Sequence, residues 1–411
     1  MSKRVLIGPQ VFAHDRTYGS GYVAVSEDRI DGVGSADRSP DVEGNDVVRL
    51  PPDYAIVPGR IDIHVHGADG ADTMDATPDA LRTIAAALPK EGTTSFLATT
   101  ATRSTDAIEA ALRNAGEFIA NHQRPGFAEA LGVDLEGPFV SAEKAGAQPT
   151  EHVIEPDSRL LERWRSISGD SISIVVLAPE IDGRVELIDS LRQAGVVASI
   201  GHSNATYDEA IESIDRGFSH VTHLFNGMSG FHHREPGIVG AALLRDEPTV
   251  ELIADGVHVR PEAVRLAYRS IGADRLILIT DSMRAKGFGP GTYDLDTGTV
   301  SVADGEVRLP DGTLAGSVLR MDRAIDNLVE YTGCSMREAI RMTSENPAKR
   351  IDVFDRKGSI RAGKDADLVV LDGNRSVVAT FCRGAVAYRS DTLNSTFQDW
   401  CSVEGNHSNR E

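Results

Sequence analysis

Cysteine is scarce in this sequence. Its 411 residues contain three cysteines, Cys334, Cys382 and Cys401, which are far apart in the chain and odd in number. That spacing indicates neither a disulfide framework nor a zinc ribbon, so we expect a protein of the reduced cytoplasm. Long apolar runs are also absent: no stretch reaches the roughly 18 residues of a membrane span. The apolar run after Met1–Arg4 is too short for a signal peptide.

Positive charge is the second shortage. The chain has 42 basic and 62 acidic residues, a formal net charge of −20. This acid excess disfavours nucleic acid or an anionic membrane as a partner, but it does not exclude a small anionic molecule as a ligand. Seven of the basic residues are lysine. Low lysine fits a salt-adapted surface and equally the arginine codons of a GC-rich genome, and the sequence leaves both explanations open.

The two ends of the chain differ from its middle. Residues 1–58 and 358–411 contain short strands broken by Gly, Asp and Pro, and they predict one small β-rich domain built from both ends. Residues 59–357 alternate near-continuous apolar strands with amphipathic helices. Roughly eight such units fit an α/β fold of the (β/α)₈ TIM-barrel type, with the small domain as a flanking β-sandwich. A doubly wound sheet would give the same local pattern.

Histidines and acids stand where several of these strands end. His64 and His66 are two residues apart on one strand, so their imidazoles point the same way. Further candidates at strand ends are Glu136, His202, His223 and Asp281. Each residue alone is more simply explained by a structural role. The carboxyl ends of barrel strands meet at one rim, however, so the set predicts a site for Zn, Fe, Mn or Co, with one or two ions.

Such a set supports hydrolysis. A bound divalent cation lowers the pKa of water to near 7, and a second site can polarise the carbonyl under attack. A carboxylate must then take the proton from that water and deliver it to the leaving amine. Asp281 is the candidate for this role. The alternative is that it serves only as a metal ligand, although one carboxylate can fill both roles.

Several longer motifs occur in a characteristic order. They are Pro58–Gly67, Leu135–Phe139, Gly201–Ala205, His223–Ser229, Arg234–Gly237, Ala254–His258, Thr280–Met283, Leu314–Ser317 and Gly363–Asp372. In this series the chain resembles the N-acetylglucosamine-6-phosphate deacetylases of the amidohydrolase superfamily, over nearly its whole length. The resemblance implies metal-dependent hydrolysis of N-acetyl-D-glucosamine 6-phosphate to D-glucosamine 6-phosphate and acetate, in amino-sugar catabolism.

The resemblance also implies roles for the metal ligands. Glu136, His202 and His223 match the residues that hold the principal metal of the family. Glu136 takes the place of a carboxylated lysine found in many relatives and could bridge two ions. The second metal position is matched by His64 and His66 together with Asp281, which also matches the catalytic acid/base.

Substrate contacts follow from the same resemblance. Asn226, Gly227 and Arg234 match sugar-phosphate contacts, His258 matches a substrate contact, and Leu314, Ala315 and Gly316 match a loop over the sugar. Gln148 stands where some relatives have a histidine that polarises the amide carbonyl; glutamine can donate a hydrogen bond there but cannot carry a proton. The predicted substrate set is completed by Ala147 and Asp255.

Two other functions remain open. A sibling enzyme on the same barrel would act on N-acetylgalactosamine 6-phosphate or on an N-acyl amino acid. Asn226 and Arg234 favour a sugar phosphate, and the sequence does not distinguish its epimers. A catalytically silent barrel could instead sense a sugar phosphate, but that role predicts lost ligands, and every ligand at a strand end is present here. The resemblance further implies a homodimer with the phosphate site near its interface.

Overall fold

A computed structural model describes residues 3–41, 46–295 and 298–391. The last twenty residues of the predicted β-rich domain, which include Cys401, lie outside the described residues. None of the helices within the described ranges has the length and apolar character needed to cross a membrane.

The strands are numbered in chain order. The first group is β1 (Lys3–Gly8), β2 (Gln10–Phe12), β3 (Thr17–Tyr18), β4 (Gly21–Ser26), β5 (Arg29–Ser35), β6 (Val47–Arg49) and β7 (Ala55–Pro58). The second is β8 (Arg60–Val65), β9 (Gly67–Ala68), β10 (Ala71–Asp72), β11 (Thr93–Thr99), β12 (Glu129–Glu136), β13 (Ile172–Leu177), β14 (Val197–Ile200), β15 (His220–Val221), β16 (Thr249–Ile253) and β17 (Leu276–Ile279). The third is β18 (Gly291–Leu295), β19 (Gly298–Ala303), β20 (Glu306–Arg308), β21 (Leu368–Leu371), β22 (Val377–Cys382) and β23 (Ala385–Arg389).

The α-helices lie mostly between the strands of the second group. They are α1 (Pro78–Ala87), α2 (Thr105–Asn121), α3 (Ser158–Ile167), α4 (Arg184–Ala194), α5 (Tyr207–Arg216), α6 (Gly237–Leu244), α7 (Pro261–Ile271), α8 (Met321–Thr332), α9 (Met336–Ile340) and α10 (Asn346–Arg350). Helix α1 shows how the sequence sets their starts. The Thr77 side chain accepts a hydrogen bond from the Ala80 N–H, and Pro78 occupies the first turn, where no backbone donor is needed.

Eight parallel strands form the central sheet, in the order β17-β16-β15-β14-β13-β12-β11-β8. The two end strands meet. Val65 at the end of β8 forms a parallel bridge with Ser282, and the Asp281 N–H donates to the His64 carbonyl at 3.0 Å. This contact closes the sheet into a barrel and so confirms the (β/α)₈ prediction over a doubly wound sheet. It also places the end of β17 beside His64.

A sandwich of two sheets flanks the barrel. One sheet is β5-β4-β1-β6; the other is β23-β22-β21-β7-β2-β3, in which strands from both chain ends pair. Strand β7 runs antiparallel to β21, with Ile56 opposite Val370. Between the sheets lies an apolar core that includes Leu6, Ile56 and Phe381. The flanking β-sandwich of the predicted fold is therefore present, while the exact boundaries after residues 58 and 357 stay a prediction.

Between β17 and α8 lies a three-stranded antiparallel sheet, β18-β19-β20, which the alternation of strands and helices does not predict. Its buried side chains, Val300, Val302 and Val307, form a small core with Ala285. The segment after β20 folds back on it, because Ala315 donates its N–H to the Val307 carbonyl at 3.1 Å. The sheet thereby holds in place the loop formed by Leu314–Gly316.

Buried charges join the barrel to the sandwich. Glu129, at the start of β12, accepts two hydrogen bonds from Arg356, at 2.9 and 3.1 Å. The ammonium of Lys357, whose side chain is fully buried, lies 2.7 Å from Glu129, 3.0 Å from Asp365 and 2.5 Å from Asp367. Such clusters are costly to break, because removing one partner leaves the other buried and unpaired.

We expect Glu129→Gln to destabilise the protein near neutral pH. Burial opposes the charge of Glu129, but Lys357 and Arg356 outweigh it and lower its pKa from 4.5 to about 2. The stabilisation is therefore complete above the unfolded pKa and is lost as the pH falls towards the folded one. The variant should lose about 1–3 kcal/mol of unfolding free energy at pH 7 and much less near pH 3. Urea denaturation at both pH values checks this, with the exposed Glu212→Gln as control. A loss that does not shrink at low pH would contradict it.

Candidate active site

Three candidate ligands share one local geometry at the barrel rim. His202, His223 and Asp281 are each the second residue after a strand, following β14, β15 and β17. All three have left-handed backbones, with φ of 45°, 32° and 48°. Residues with side chains seldom adopt this conformation, and where they do they are concentrated at functional sites.

Glu136, His202 and His223 form one triad of converging ligand atoms. The Glu136 Oε1 atom lies 3.1 Å from Nε2 of His202 and 3.1 Å from Nε2 of His223, and those two nitrogens are themselves 3.1 Å apart. The Nδ1 atom of His202 faces the Lys144 carbonyl at 2.9 Å. Since a carbonyl only accepts hydrogen bonds, this contact places the proton of a neutral His202 on Nδ1. The Nε2 lone pair is then free to bind a metal.

His64, His66 and Asp281 form the second triad. The Asp281 Oδ1 atom is 3.6 Å from Nε2 of His64 and 3.4 Å from Nε2 of His66. Glu136 lies between the triads: its Oε1 is 3.4 Å from His64 Nε2, and its Oε2 is 3.4 Å from His66 Nε2. Within each triad the ligand atoms lie within 4.8 Å of one another. The structure thus brings together all six predicted ligands.

These donors fit a divalent metal. Although His64 is fully buried, its Nε2 atom has no hydrogen-bond partner among the residues that the structure describes. A buried polar atom without a partner is costly, and a cation between the converging atoms would remove that cost. Imidazole and carboxylate ligands suit Zn²⁺, Fe²⁺, Mn²⁺ or Co²⁺.

The charges of the two triads are mutually paired. Burial would raise the pKa of Asp281, but the imidazoles of His64 and His66 lower it overall, so the carboxylate is ionised at neutral pH. Burial would lower the pKa of His66, and hydrogen bonds to Asp281 and Glu136 raise it to about 10. Asp281 is therefore in the form that accepts a proton.

A cavity of about 650 Å³ opens above the triads. Its volume is in the range of small-molecule sites. Most of the predicted substrate residues line it: Ala147, Gln148, Asn226, Gly227, His258, Leu314, Ala315 and Gly316. The loop fixed by the β18-β19-β20 sheet forms one wall.

Gln148 is held against a candidate metal ligand. Its Oε1 accepts the Thr102 N–H at 2.7 Å, and its Nε2 donates to Glu136 Oε2 at 2.7 Å. The first contact fixes the orientation of the amide, so the second directs an N–H at the carboxylate between the triads. One amide proton of Gln148 is thus donated to Glu136. A hydrogen bond from Gln148 to an oxyanion would have to use its second amide proton, and this contact stays a prediction.

Asp255 supports His258 and does not itself line the cavity. The Asp255 Oδ2 atom lies 2.6 Å from His258 Nδ1, and its Oδ1 accepts the His258 N–H at 2.8 Å. Burial would lower the pKa of His258, but Asp255 outweighs burial and raises it. The cavity therefore has an imidazole biased towards its cationic form, which suits an anionic substrate.

Arg234 lies apart from this cavity. It is exposed, is not among the described residues that line the cavity, and places Nη1 2.6 Å from His233 Nε2. Three other arginines do line the cavity: Arg103, Arg284 and Arg308.

Arg308 is a cavity residue that the sequence motifs do not include. Its Nε donates to Glu306 at 2.7 Å and its Nη1 to the Gly312 carbonyl at 2.6 Å. It also forms an antiparallel bridge with Leu314. The available signal was its position six residues before the Leu314–Ser317 motif. A short hairpin over that distance brings Arg308 beside Leu314, on the same wall of the cavity.

A closed (β/α)₈ barrel with two histidine–carboxylate triads at its rim defines a metal-dependent hydrolase. The amidohydrolase family model matches residues 55–388, and the chain belongs to this family. It is similar to N-acetylglucosamine-6-phosphate deacetylase of Bacillus subtilis (strain 168), with 46% identity over 90% of this chain and 93% of the relative. N-acetylgalactosamine-6-phosphate deacetylase of Escherichia coli O157:H7 is 40% identical over 81% of this chain and 87% of the relative.

A solved structure is similar as well. It is a variant of N-acetyl-D-glucosamine-6-phosphate deacetylase from Mycobacterium smegmatis in complex with N-acetyl-D-glucosamine-6-phosphate. It superposes with a TM-score of 0.87 at 30% identity, covering 94% of this chain and 100% of that one.

Proposed function

We propose that this protein hydrolyses N-acetyl-D-glucosamine 6-phosphate to D-glucosamine 6-phosphate and acetate. One observation carries the proposal: Glu136 lies between the two triads on the floor of a cavity of about 650 Å³, and Asp281 of the second triad is ionised. This arrangement supplies metal ligands and a proton acceptor at one place, as amide hydrolysis requires.

The reaction needs a base and then an acid at the same point. Asp281 accepts a proton from the water that attacks the acetyl carbonyl, and donates it to the sugar nitrogen as the C–N bond breaks. A divalent ion held by Glu136, His202 and His223, and a second held by His64, His66 and Asp281, would supply Lewis-acid polarisation and a lower pKa of water. Gln148 keeps Glu136 oriented.

The phosphate would meet positive charge that the −20 net charge does not suggest. His258 and Arg308 both line the cavity. The charge of Arg308 lowers the pKa of His258, but it is the weakest of the influences on that imidazole, and Asp255 keeps the pKa raised. We infer that this pair binds the phosphate within one chain, because a guanidinium and an imidazolium are both good phosphate donors.

Arg308→Ala should therefore raise KM for the phosphorylated substrate and leave kcat nearly unchanged. Loss of a charged hydrogen bond to the phosphate costs about 1.5–3 kcal/mol, or roughly a 10- to 100-fold rise in KM. Steady-state kinetics on N-acetylglucosamine with and without the 6-phosphate checks this, and Arg323→Ala on the exposed side of α8 is the control. A rise in KM of equal size for both sugars would contradict the phosphate contact.

Arg234 enters the proposal as a contact made between two copies of the chain. It lies in an exposed loop with Phe231, which is 60% exposed, so both side chains are accessible to a second copy. We propose a cytoplasmic homodimer in which Arg234 approaches the cavity of the second copy. The buried free thiols of Cys334 and Cys382 suit a reducing compartment.

If Arg234 reaches the cavity of the second copy, Arg234→Ala should raise KM for the phosphorylated sugar. Sedimentation velocity should show that the variant is still a dimer.

The galactosamine epimer is the second candidate substrate, because a relative at 40% identity is named for it. Acetate release measured with the two N-acetylhexosamine 6-phosphates separates the two activities. We expect the higher kcat/KM with the glucosamine epimer; a clear preference for the galactosamine epimer would replace the proposed substrate with its sibling.

A further inference from the structure

Glu251 is a buried acid that the proposed reaction does not use. It lies in the middle of β16 with 1% of its surface exposed. Its Oε1 atom faces His220 Nε2 at 2.9 Å. Its Oε2 atom lies 3.2 Å from His64 Nδ1 and accepts the backbone N–H of His223 at 3.1 Å. Both oxygens of the carboxylate are thus directed at histidines.

The contact with His64 determines where that imidazole carries its proton. An ionised carboxylate only accepts hydrogen bonds, so the proton of a neutral His64 must be on Nδ1. The Nε2 atom then has a free lone pair, and it faces Glu136 and Asp281 at 3.4 and 3.6 Å. With the opposite tautomer, His64 could not act as a ligand through Nε2.

The contact with His223 links the same carboxylate to the other triad. His223 has the left-handed backbone that turns the chain at the end of β15, with φ of 32°. A hydrogen bond from its N–H to Glu251 stabilises that turn. One side chain therefore supports a ligand from each triad.

His220 supports Glu251 in turn. His220 and Thr249 are opposite each other in the β15–β16 pair, and the His220 Nδ1 atom lies 2.7 Å from Thr249 Oγ1. Because Thr249 and Glu251 are two residues apart on β16, both face His220, which bonds one through each ring nitrogen. This arrangement keeps the carboxylate fixed beneath the triads.

A second acid near His64 does not make this contact. The Asp134 Oδ2 atom is 3.6 Å from His64 Nδ1, beyond hydrogen-bond distance. Neither of its oxygens has a hydrogen-bond partner in the part of the chain that the structure describes. Asp134 therefore offers a matched control: it is an equally buried carboxyl beside the same imidazole.

We propose that Glu251 is a positioning residue for both metal sites. It holds His64 in the tautomer that presents Nε2 to the site and anchors the turn that presents His223, while His220 holds Glu251. This inference rests on the proposed function, since it assumes that the triads bind divalent metal.

The test compares two substitutions of similar size. Glu251→Leu removes the acceptor, whereas Glu251→Gln keeps one acceptor oxygen for His64 and His223. With Zn²⁺ as the probe, chelator competition should show about 10- to 100-fold weaker binding to the leucine variant. The glutamine variant should recover most of this affinity, and Asp134→Asn should match the unsubstituted protein. Equal binding by all variants, or an equal loss in Asp134→Asn, would overturn the proposal.

A second measurement leaves Glu251 in place and so does not depend on the Glu251 variants folding. Long-range ¹H–¹⁵N spectra of the zinc-loaded, histidine-labelled protein report which imidazole nitrogen carries the proton, with His64→Gln to assign the signals. We expect the proton of His64 on Nδ1, and a proton on Nε2 would overturn the proposal. Failure of the unsubstituted protein to bind Zn²⁺ or release acetate would instead refute the proposed function.

Discussion

Asp281→Asn should lower kcat for acetate release by about 10²- to 10⁴-fold, the contribution usual for a general acid–base group. Asparagine has nearly the same shape and keeps one oxygen towards His64 and His66, but it cannot take a proton from water or return one to the amine. The left-handed backbone at this position, with φ of 48°, is one that asparagine tolerates. The fold should therefore survive.

Asp69→Asn is the matched control for this substitution. Asp69 also has a left-handed backbone, with φ of 47°, and its carboxylate pairs with Lys90 at 2.8 Å, away from the triads. It should retain full activity. Metal content measured on both variants separates a lost ligand from a lost base. If Asp281→Asn kept its turnover, Asp281 would not be the proton carrier.

Glu136→Gln should have the second large effect, through loss of metal. The Glu136 carboxylate is within 3.4 Å of four imidazoles, two from each triad. Burial would raise its pKa, but the neighbouring imidazoles of His202 and His64 hold it well below its usual range. A neutral amide there leaves both triads short of an anionic ligand, so affinity should fall by at least about 100-fold and activity with it.

Elemental analysis after dialysis, together with acetate release, measures this loss. Glu143→Gln is the control: Glu143 is an exposed rim carboxylate that accepts a hydrogen bond from Asn204 at 2.7 Å and does not line the cavity. It should keep full metal content and activity. A Glu136→Gln protein that retained both would show that the metal is held elsewhere.

The positions of the candidate ligands follow from the sequence because a barrel brings strand ends together. His202, His223 and Asp281 each follow an apolar strand by two residues, and the spacing of His64 and His66 puts them on one side of β8. The alternation of strands and helices indicated the barrel itself, although its closure needed the contact of Val65 with Ser282.

Other parts of the site depend on tertiary contacts that leave no periodic signal. In the sequence, Glu251 is an ordinary polar residue within an apolar strand. Its contact with His220 follows only from the register of β15 and β16. Arg308 belongs to a short sheet whose position relative to the cavity is set by packing around Ala285. The direction of the Gln148 amide is decided by the Thr102 N–H, a residue 46 positions away in the chain.

The most direct test of the account is metal-dependent acetate release from N-acetyl-D-glucosamine 6-phosphate. Purified protein of known metal content is assayed before and after complete removal of metal by a chelator, and again after Zn²⁺, Mn²⁺ or Co²⁺ is restored. We predict one acetate for each D-glucosamine 6-phosphate formed, loss of this activity on removal of metal, and recovery on its return. Undiminished acetate release by the metal-free protein would contradict the account.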